Sequence, residues 1–152
     1  MAKEVSPAAG SHGRIFIDTW AWLVLASDQD PAFKAVSTLR ADAASRLGAW
    51  ITTDYVLDET LTRLFAGAPF IKARRFAEAI FKAAESGLVE IERVTPERFQ
   101  AAWELRIRYR DKPRISFTDL TSFVVMQEIG LTSVISGDAH FEHAGLGFRR
   151  IP

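Results

Sequence analysis

Short apolar runs alternate with longer stretches of helical period along this chain. Ile15-Phe16-Ile17, Trp50-Ile51-Thr52, Leu88-Val89-Glu90-Ile91, Ser133 to Ser136 and a short run from Phe148 to Ile151 read as strands. The first is wholly apolar, as expected of a strand covered on both faces. Between these runs the pattern predicts helices. One starts at Thr19 and runs to Ala26, carrying Trp20 and Trp22. Asp30-Pro31 pairs an N-cap with a proline suited to the first helical position, and that helix runs to Arg46 or Leu47 before Gly48. Another spans about Asp54 to Phe65 and ends at Gly67, and Pro69 opens one that continues through Ser86 to a stop at Gly87. Thr95-Pro96 repeats the cap-plus-proline start, and its helix reaches about Tyr109. After a break at Asp111-Lys112-Pro113, a last helix runs from Ser116 to Ile129 and ends at Gly130.

Strands that alternate with helices predict an α/β fold with a mostly parallel sheet. A chain of 152 residues fits one domain. Residues 14–152 are assigned to it, and Met1 to Gly13, rich in Ala, Ser and Gly, to a disordered tail. The chain has no cysteine, which excludes disulfides, thiolate metal sites and a cysteine nucleophile, and agrees with the reducing cytoplasm. No apolar run approaches the ~18 residues that span a bilayer. Nineteen basic residues balance nineteen acidic ones, so there is no global attraction to nucleic acid. Locally the balance differs: from Arg98 to Arg114 six basic residues face two acidic ones. That stretch is either a phosphate-contacting patch or an ordinary solvated face.

The candidate chemistry lies in acids at element boundaries. In parallel sheets, strand ends and the following helix starts share one rim, where ligands bind. Asp18 directly follows the first strand, and Asp138 follows the fourth in Ser136-Gly137-Asp138. Asp119 falls in the first turn of the helix opened by Ser116-Phe117-Thr118-Asp119. Each has a plain structural alternative: an N-cap for Asp18, a capping box for Asp119, a Gly-Asp turn for Asp138. Carboxylates brought together repel one another, so such a cluster makes chemical sense chiefly around a hard cation such as Mg²⁺. Glu59 is different, because on a helical wheel it points away from the stripe of Leu57, Leu61 and Leu64 and toward solvent. Asp54 and Asp58, its neighbours, rank below it. Thr19, Ser116, Thr118 and Ser136 are hydroxyls placed to orient carboxylates or bound water, or simply to cap helices. His140 reads more as a surface or structural residue than a functional one, and Phe141 as core.

The Ser116–Asp119 segment, the helix after it and Ser136-x-Asp138-x-His140-Phe141 together resemble the C-terminal half of PIN-domain ribonucleases, particularly VapC-type toxins. Arg14 to Thr19 is similar to that family's first strand and first acid, and Thr52 to Leu61 to the segment with its second acid. The resemblance covers residues 14 to 151. It implies a PIN-like three-layer sandwich: a central, mostly parallel sheet of four to five strands, with the first strand in the middle and helices on both faces. It also implies an endoribonuclease that hydrolyses RNA phosphodiesters with water activated by Mg²⁺ or Mn²⁺, leaving a 5′-phosphate and a 3′-hydroxyl. Asp18, Asp119 and Asp138 would hold the cation, and only the resemblance brings Glu59 to join them as ligand or water-mediated contact. Arg110, Lys112 and Arg114 would be the RNA-binding residues. A cognate antitoxin and a second copy of the chain are the implied partners. The alternatives are a PIN nuclease of RNA processing without an antitoxin, an inactive PIN scaffold, and a receiver-like Mg²⁺-binding signalling module. The last usually needs paired acids after the first strand, where Ile17-Asp18-Thr19 offers one.

Overall fold

The computed structural model describes residues 14–45 and 48–152. The expected tail and the Arg46–Leu47 end of the second helix lie outside the described residues. In chain order the elements are β1 (Ile15–Ile17), α1 (Thr19–Leu25), α2 (Phe33–Ser45), β2 (Trp50–Thr53), α3 (Asp54–Gly67) and α4 (Phe70–Glu85). There follow β3 (Val89–Glu92), α5 (Pro96–Arg108), α6 (Phe117–Ile129), β4 (Ser133–Ile135), α7 (His140–His143) and β5 (Arg149–Ile151).

The strands form one sheet in the order β3-β2-β1-β4-β5, and every neighbouring pair is parallel. Helices cover both faces. β1 is central, with Phe16 and Ile17 fully buried, as are Ile51, Val134 and Ile135 on the strands beside it. Burying a side chain of this size contributes about 1.5–3 kcal/mol, so these short strands are held by packing rather than by length. The chain builds outward from β1 through β2 to β3, then returns to start β4 on the other flank of β1. The crevice at the C-terminal ends of β1 and β4 is therefore the switch point of the sheet, the place where open α/β folds bind ligands.

Local chemistry explains the boundaries nearest that crevice. Ser116 Oγ accepts a hydrogen bond from the Asp119 N–H at 3.0 Å and starts α6. Gly130 ends α6 with φ 74°, a left-handed conformation that costs glycine nothing. Thr95 Oγ1 accepts from the Arg98 N–H, and Pro96 follows as the first residue of α5. The expected start of α2 needs correction. The Asp30 carboxylate accepts from the Ala32 N–H at 2.8 Å, an Asx turn, and the helix begins only at Phe33. The short α7 begins at His140. Phe141 anchors it, fully buried, with its ring edge-on to Phe123 at 5.1 Å and near Phe148 at 6.4 Å. Among the described residues no helix is long and apolar enough to cross a membrane.

Candidate active site

Asp18 leaves β1 with its N–H donated to the Ile135 carbonyl at 3.2 Å, so the ends of β1 and β4 are laced together. Its side chain occupies the N-cap position of α1 without making a capping bond. Instead Oδ2 accepts from Ser136 Oγ at 2.7 Å. The same Oγ accepts from the Asp138 N–H at 2.9 Å. One hydroxyl therefore sets both the first acid and the loop that carries the last one. Asp138 Oδ1 accepts from the His140 N–H at 2.8 Å, closing that loop into the start of α7. Gly137 has no room for a side chain: a Cβ there would lie 2.6 Å from the Trp20 indole.

Asp119 enters from α6 and is buried. Only half of the expected capping box is made, since its N–H bonds Ser116 while its carboxylate faces the rim. Asp119 Oδ2 lies 3.4 Å from His140 Nδ1, which is itself 3.1 Å from Asp138 Oδ1. Asp119, Asp138 and His140 can each place a donor atom within 4.8 Å of the others. Asp18, Glu59, Asp119 and Asp138 all line one open cleft of about 400 Å³, together with Thr19, Trp20, Ser116, Arg63 and Arg114.

Glu59 reaches the cleft because the buried face of α3 is Val56, Leu57, Thr60 and Leu64 rather than leucines alone. Including Val56 and Thr60 turns that face by about 50° toward Glu59, at ~100° per residue. Thr60 is tolerated inside because its hydroxyl donates to the Val56 carbonyl at 2.7 Å. The Glu59 carboxylate is half-buried and lies 3.7 Å from Arg63. Its neighbours go elsewhere. Asp54 Oδ1 accepts from the Val94 N–H at 2.9 Å, tying α3 to the end of β3, and Asp58 is exposed.

The hydroxyls divide. Ser136 and Ser116 contact the acids as described. Thr19 lines the cleft, but its hydroxyl donates to the Val56 carbonyl of α3 at 3.5 Å. Thr118 does not line the cleft; its carbonyl accepts from Thr121 and Ser122 within α6. The basic stretch divides as well. Arg98 is held by Glu92 and Glu128, both at 2.8 Å, and Arg106 donates to the carbonyls of Tyr109, Lys112 and Ile115. Neither is available to a ligand. Arg106 instead pins the loop that presents Arg110, Lys112 and Arg114. Arg114 alone of these three lines the acidic cleft. Lys112, paired with Asp111 at 2.9 Å, lines an adjoining groove with Arg114, His140 and His143. Arg110 is exposed and lines neither. Sequence reasoning did not consider Arg63, one turn beyond Glu59 on the same helix, and read His140 as a surface or structural residue, whereas its ring stands between Asp119 and Asp138.

Electrostatics mark the pair of buried acids. Burial pushes the Asp18 carboxyl up to about 7; the nearby Asp119 charge adds to this, against the Ser136 hydroxyl and the Thr19 N–H. Burial also pushes Asp119 up to about 6, with Asp138 adding and His140 opposing. Among the described residues, no lysine or arginine forms an ion pair with either. Two buried carboxylates not paired to any lysine or arginine among the described residues, joined by a third and a histidine, are a donor set that fits a divalent cation.

The sequence profile of the PIN domain matches residues 15–146. The chain belongs to the PIN-domain family. Similar to it are the proteins named 23S rRNA-specific endonuclease VapC20 in two strains of Mycobacterium tuberculosis, CDC 1551 / Oshkosh and H37Rv. Each is 33% identical over 131 residues, covering 86% of this chain and 94% of the relative. The crystal structure of M. tuberculosis VapC20, described as a Sarcin-Ricin loop cleaving toxin, superposes with a TM-score of 0.72. It is 31% identical, over 86% of this chain and 95% of that one. This PIN domain is thus a homologue of VapC-type ribonuclease toxins. The receiver-like alternative falls with this assignment.

Proposed function

We propose that this PIN domain is an endoribonuclease that hydrolyses RNA phosphodiesters with a carboxylate-held divalent cation, Mg²⁺ or Mn²⁺, leaving a 5′-phosphate and a 3′-hydroxyl. One observation carries the reading: acids from β1, α3, α6 and the loop after β4 converge on a single cleft that also holds two arginines. Asp18, Asp119 and Asp138 would hold the cation, with Glu59 completing the site from α3. When bound, the cation supplies Lewis acidity, activating water and stabilising charge on the phosphate. The chain does the rest. Ser136 holds Asp18 and the Asp138 loop in register, and Ser116 fixes the first turn of α6. Arg114 and Arg63 offer planar, always charged donors for phosphate oxygens on the cleft wall. Arg110 and Lys112 would extend that contact along the RNA backbone.

The similarity to VapC20 makes 23S rRNA the first substrate to test, and it supports a toxin restrained by a cognate antitoxin in the cytoplasm. Homodimerisation is supported by a stripe at helical spacing on α5: Phe99, Trp103 and Ile107 are about half exposed.

The test compares three variants. Asp119→Asn should lower the cleavage rate by about 100-fold or more, yet keep RNA affinity, because an amide is a poor ligand for a hard cation. Arg114→Ala and Arg110→Ala should weaken RNA binding and reduce its salt slope by about one each, with cleavage chemistry retained. Chelator should abolish cleavage. Full activity in excess chelator, or an active Asp119→Asn, would defeat the proposal.

A further inference from the structure

We infer that His140, at the edge of the cleft, is itself a cation ligand through Nδ1, and that the site shared by Asp119, Asp138 and His140 therefore selects a transition ion such as Mn²⁺ over Mg²⁺. This rests on the cation-site reading above and refines it.

The tightest group of donors among the described residues is not the four acids. It is Asp119, Asp138 and His140. Neighbouring ligands around an octahedral ion with ~2.1 Å bonds stand about 3.0 Å apart. Nδ1 stands 3.1 Å from Asp138 Oδ1 and 3.4 Å from Asp119 Oδ2, close to that spacing on both sides. The ring is not needed to orient Asp138. Two main-chain bonds already do so, from the Asp138 N–H to Ser136 and from the His140 N–H to Asp138 Oδ1. The buried Phe141 beside it fixes where the histidine leaves the chain. A ring nitrogen held between two carboxylates is thus a donor beyond what the loop requires. Mg²⁺ takes oxygen ligands almost exclusively, whereas imidazole suits transition ions. The competing account makes Nδ1–H a hydrogen-bond donor to the same two oxygens, at the same distances.

The probe that separates them is Mn²⁺ alone. Pulsed electron paramagnetic resonance of the full chain with Mn²⁺ should show modulation from a directly bound nitrogen. That modulation should change pattern in protein carrying ¹⁵N-labelled histidine. His140→Ala should remove it, while His143→Ala, on the exposed side of α7, should keep it. By calorimetry His140→Ala should lower Mn²⁺ affinity by about tenfold or more, since even the loss of a ligand's outer-shell partner costs about that much, and should lower Mg²⁺ affinity by less than about threefold. Should His140→Ala fail to fold, the labelled wild-type chain decides alone. Mn²⁺ bound without nitrogen modulation, or modulation surviving His140→Ala, would overturn the histidine ligand and leave the carboxylate site standing. No Mn²⁺ binding, with Asp119→Asn indistinguishable from wild type, would overturn both.

Discussion

Replacing Asp18 with asparagine should stabilise the protein when no cation is present, although it removes a residue at the heart of the cleft. The reasoning starts from proton linkage. Asp18 is pushed from 3.8 up to about 7 in the folded chain, so the folded state holds a proton that the unfolded state has released. Stability from this group is fully present below about pH 3.8 and is lost as pH rises to about 7. The gap is worth on the order of 4 kcal/mol, at about 1.4 kcal/mol per pH unit, and roughly 3 kcal/mol of it falls between pH 5 and pH 8. Asparagine never ionises. Its carbonyl can still accept from Ser136 Oγ, but its NH₂ adds buried donors, and an unpaired one costs about 1–3 kcal/mol. The expected net gain at pH 8 is therefore about 1–3 kcal/mol, shrinking toward pH 5. Urea unfolding in chelator at both pH values measures it. Saturating Mn²⁺ should reverse the order, because a ligand at 100 times its Kd adds about 2.7 kcal/mol to the protein that binds it. An Asp18→Asn protein less stable than wild type at pH 8 in chelator would refute this account. So would a wild-type stability that does not fall from pH 5 to pH 8.

Two further outcomes follow from the walls of the cleft. Gly137→Ala should drive a methyl into the rigid Trp20 indole and cost about 1–3 kcal/mol of melting stability. Trp20→Ala in the same chain should restore part of it, and strictly additive effects would show that the two residues do not meet. Arg106→Ala should weaken RNA binding without Arg106 touching RNA, because three carbonyls of the loop carrying Arg110 to Arg114 lose their donor. It should also cost about 2 kcal/mol, and unchanged affinity in a filter-binding titration would refute the role of the loop.

The strands and most helices were legible because they rest on local signals. Asp18 stood out as an acid closing an apolar run, and the structure finds it at the end of β1. Asp119 was marked twice, by the cap at Ser116 and by the resemblance, and both its N–H and its carboxylate are engaged. What was not legible depends on partners distant along the chain. Glu59 looked solvent-facing because a wheel of leucines ignores Thr60, a polar residue buried once its hydroxyl meets Val56. His140 gains its meaning from Asp119 on another helix. The charge count over Arg98 to Arg114 could not show that Arg98 is held by Glu128 across the α5–α6 contact, or that Arg106 binds carbonyls. At Asp30-Pro31 the same residues suit an Asx turn and a helix start, and the turn won.

The bond between Ser136 and Asp18 joins residues 118 positions apart. Consider it on the time axis of synthesis. Asp18 emerges with the first strand, but its partner hydroxyl and Asp138 arrive only after most of the chain has been made. Contacts of such separation form late, since a long loop must close before they contribute. A growing chain thus carries its first acid without the Ser136 hydroxyl until β4 docks beside β1. Refolding followed by cation binding should lag behind the recovery of helical signal, and a chain cut before Ser133 should gain helix without gaining the site.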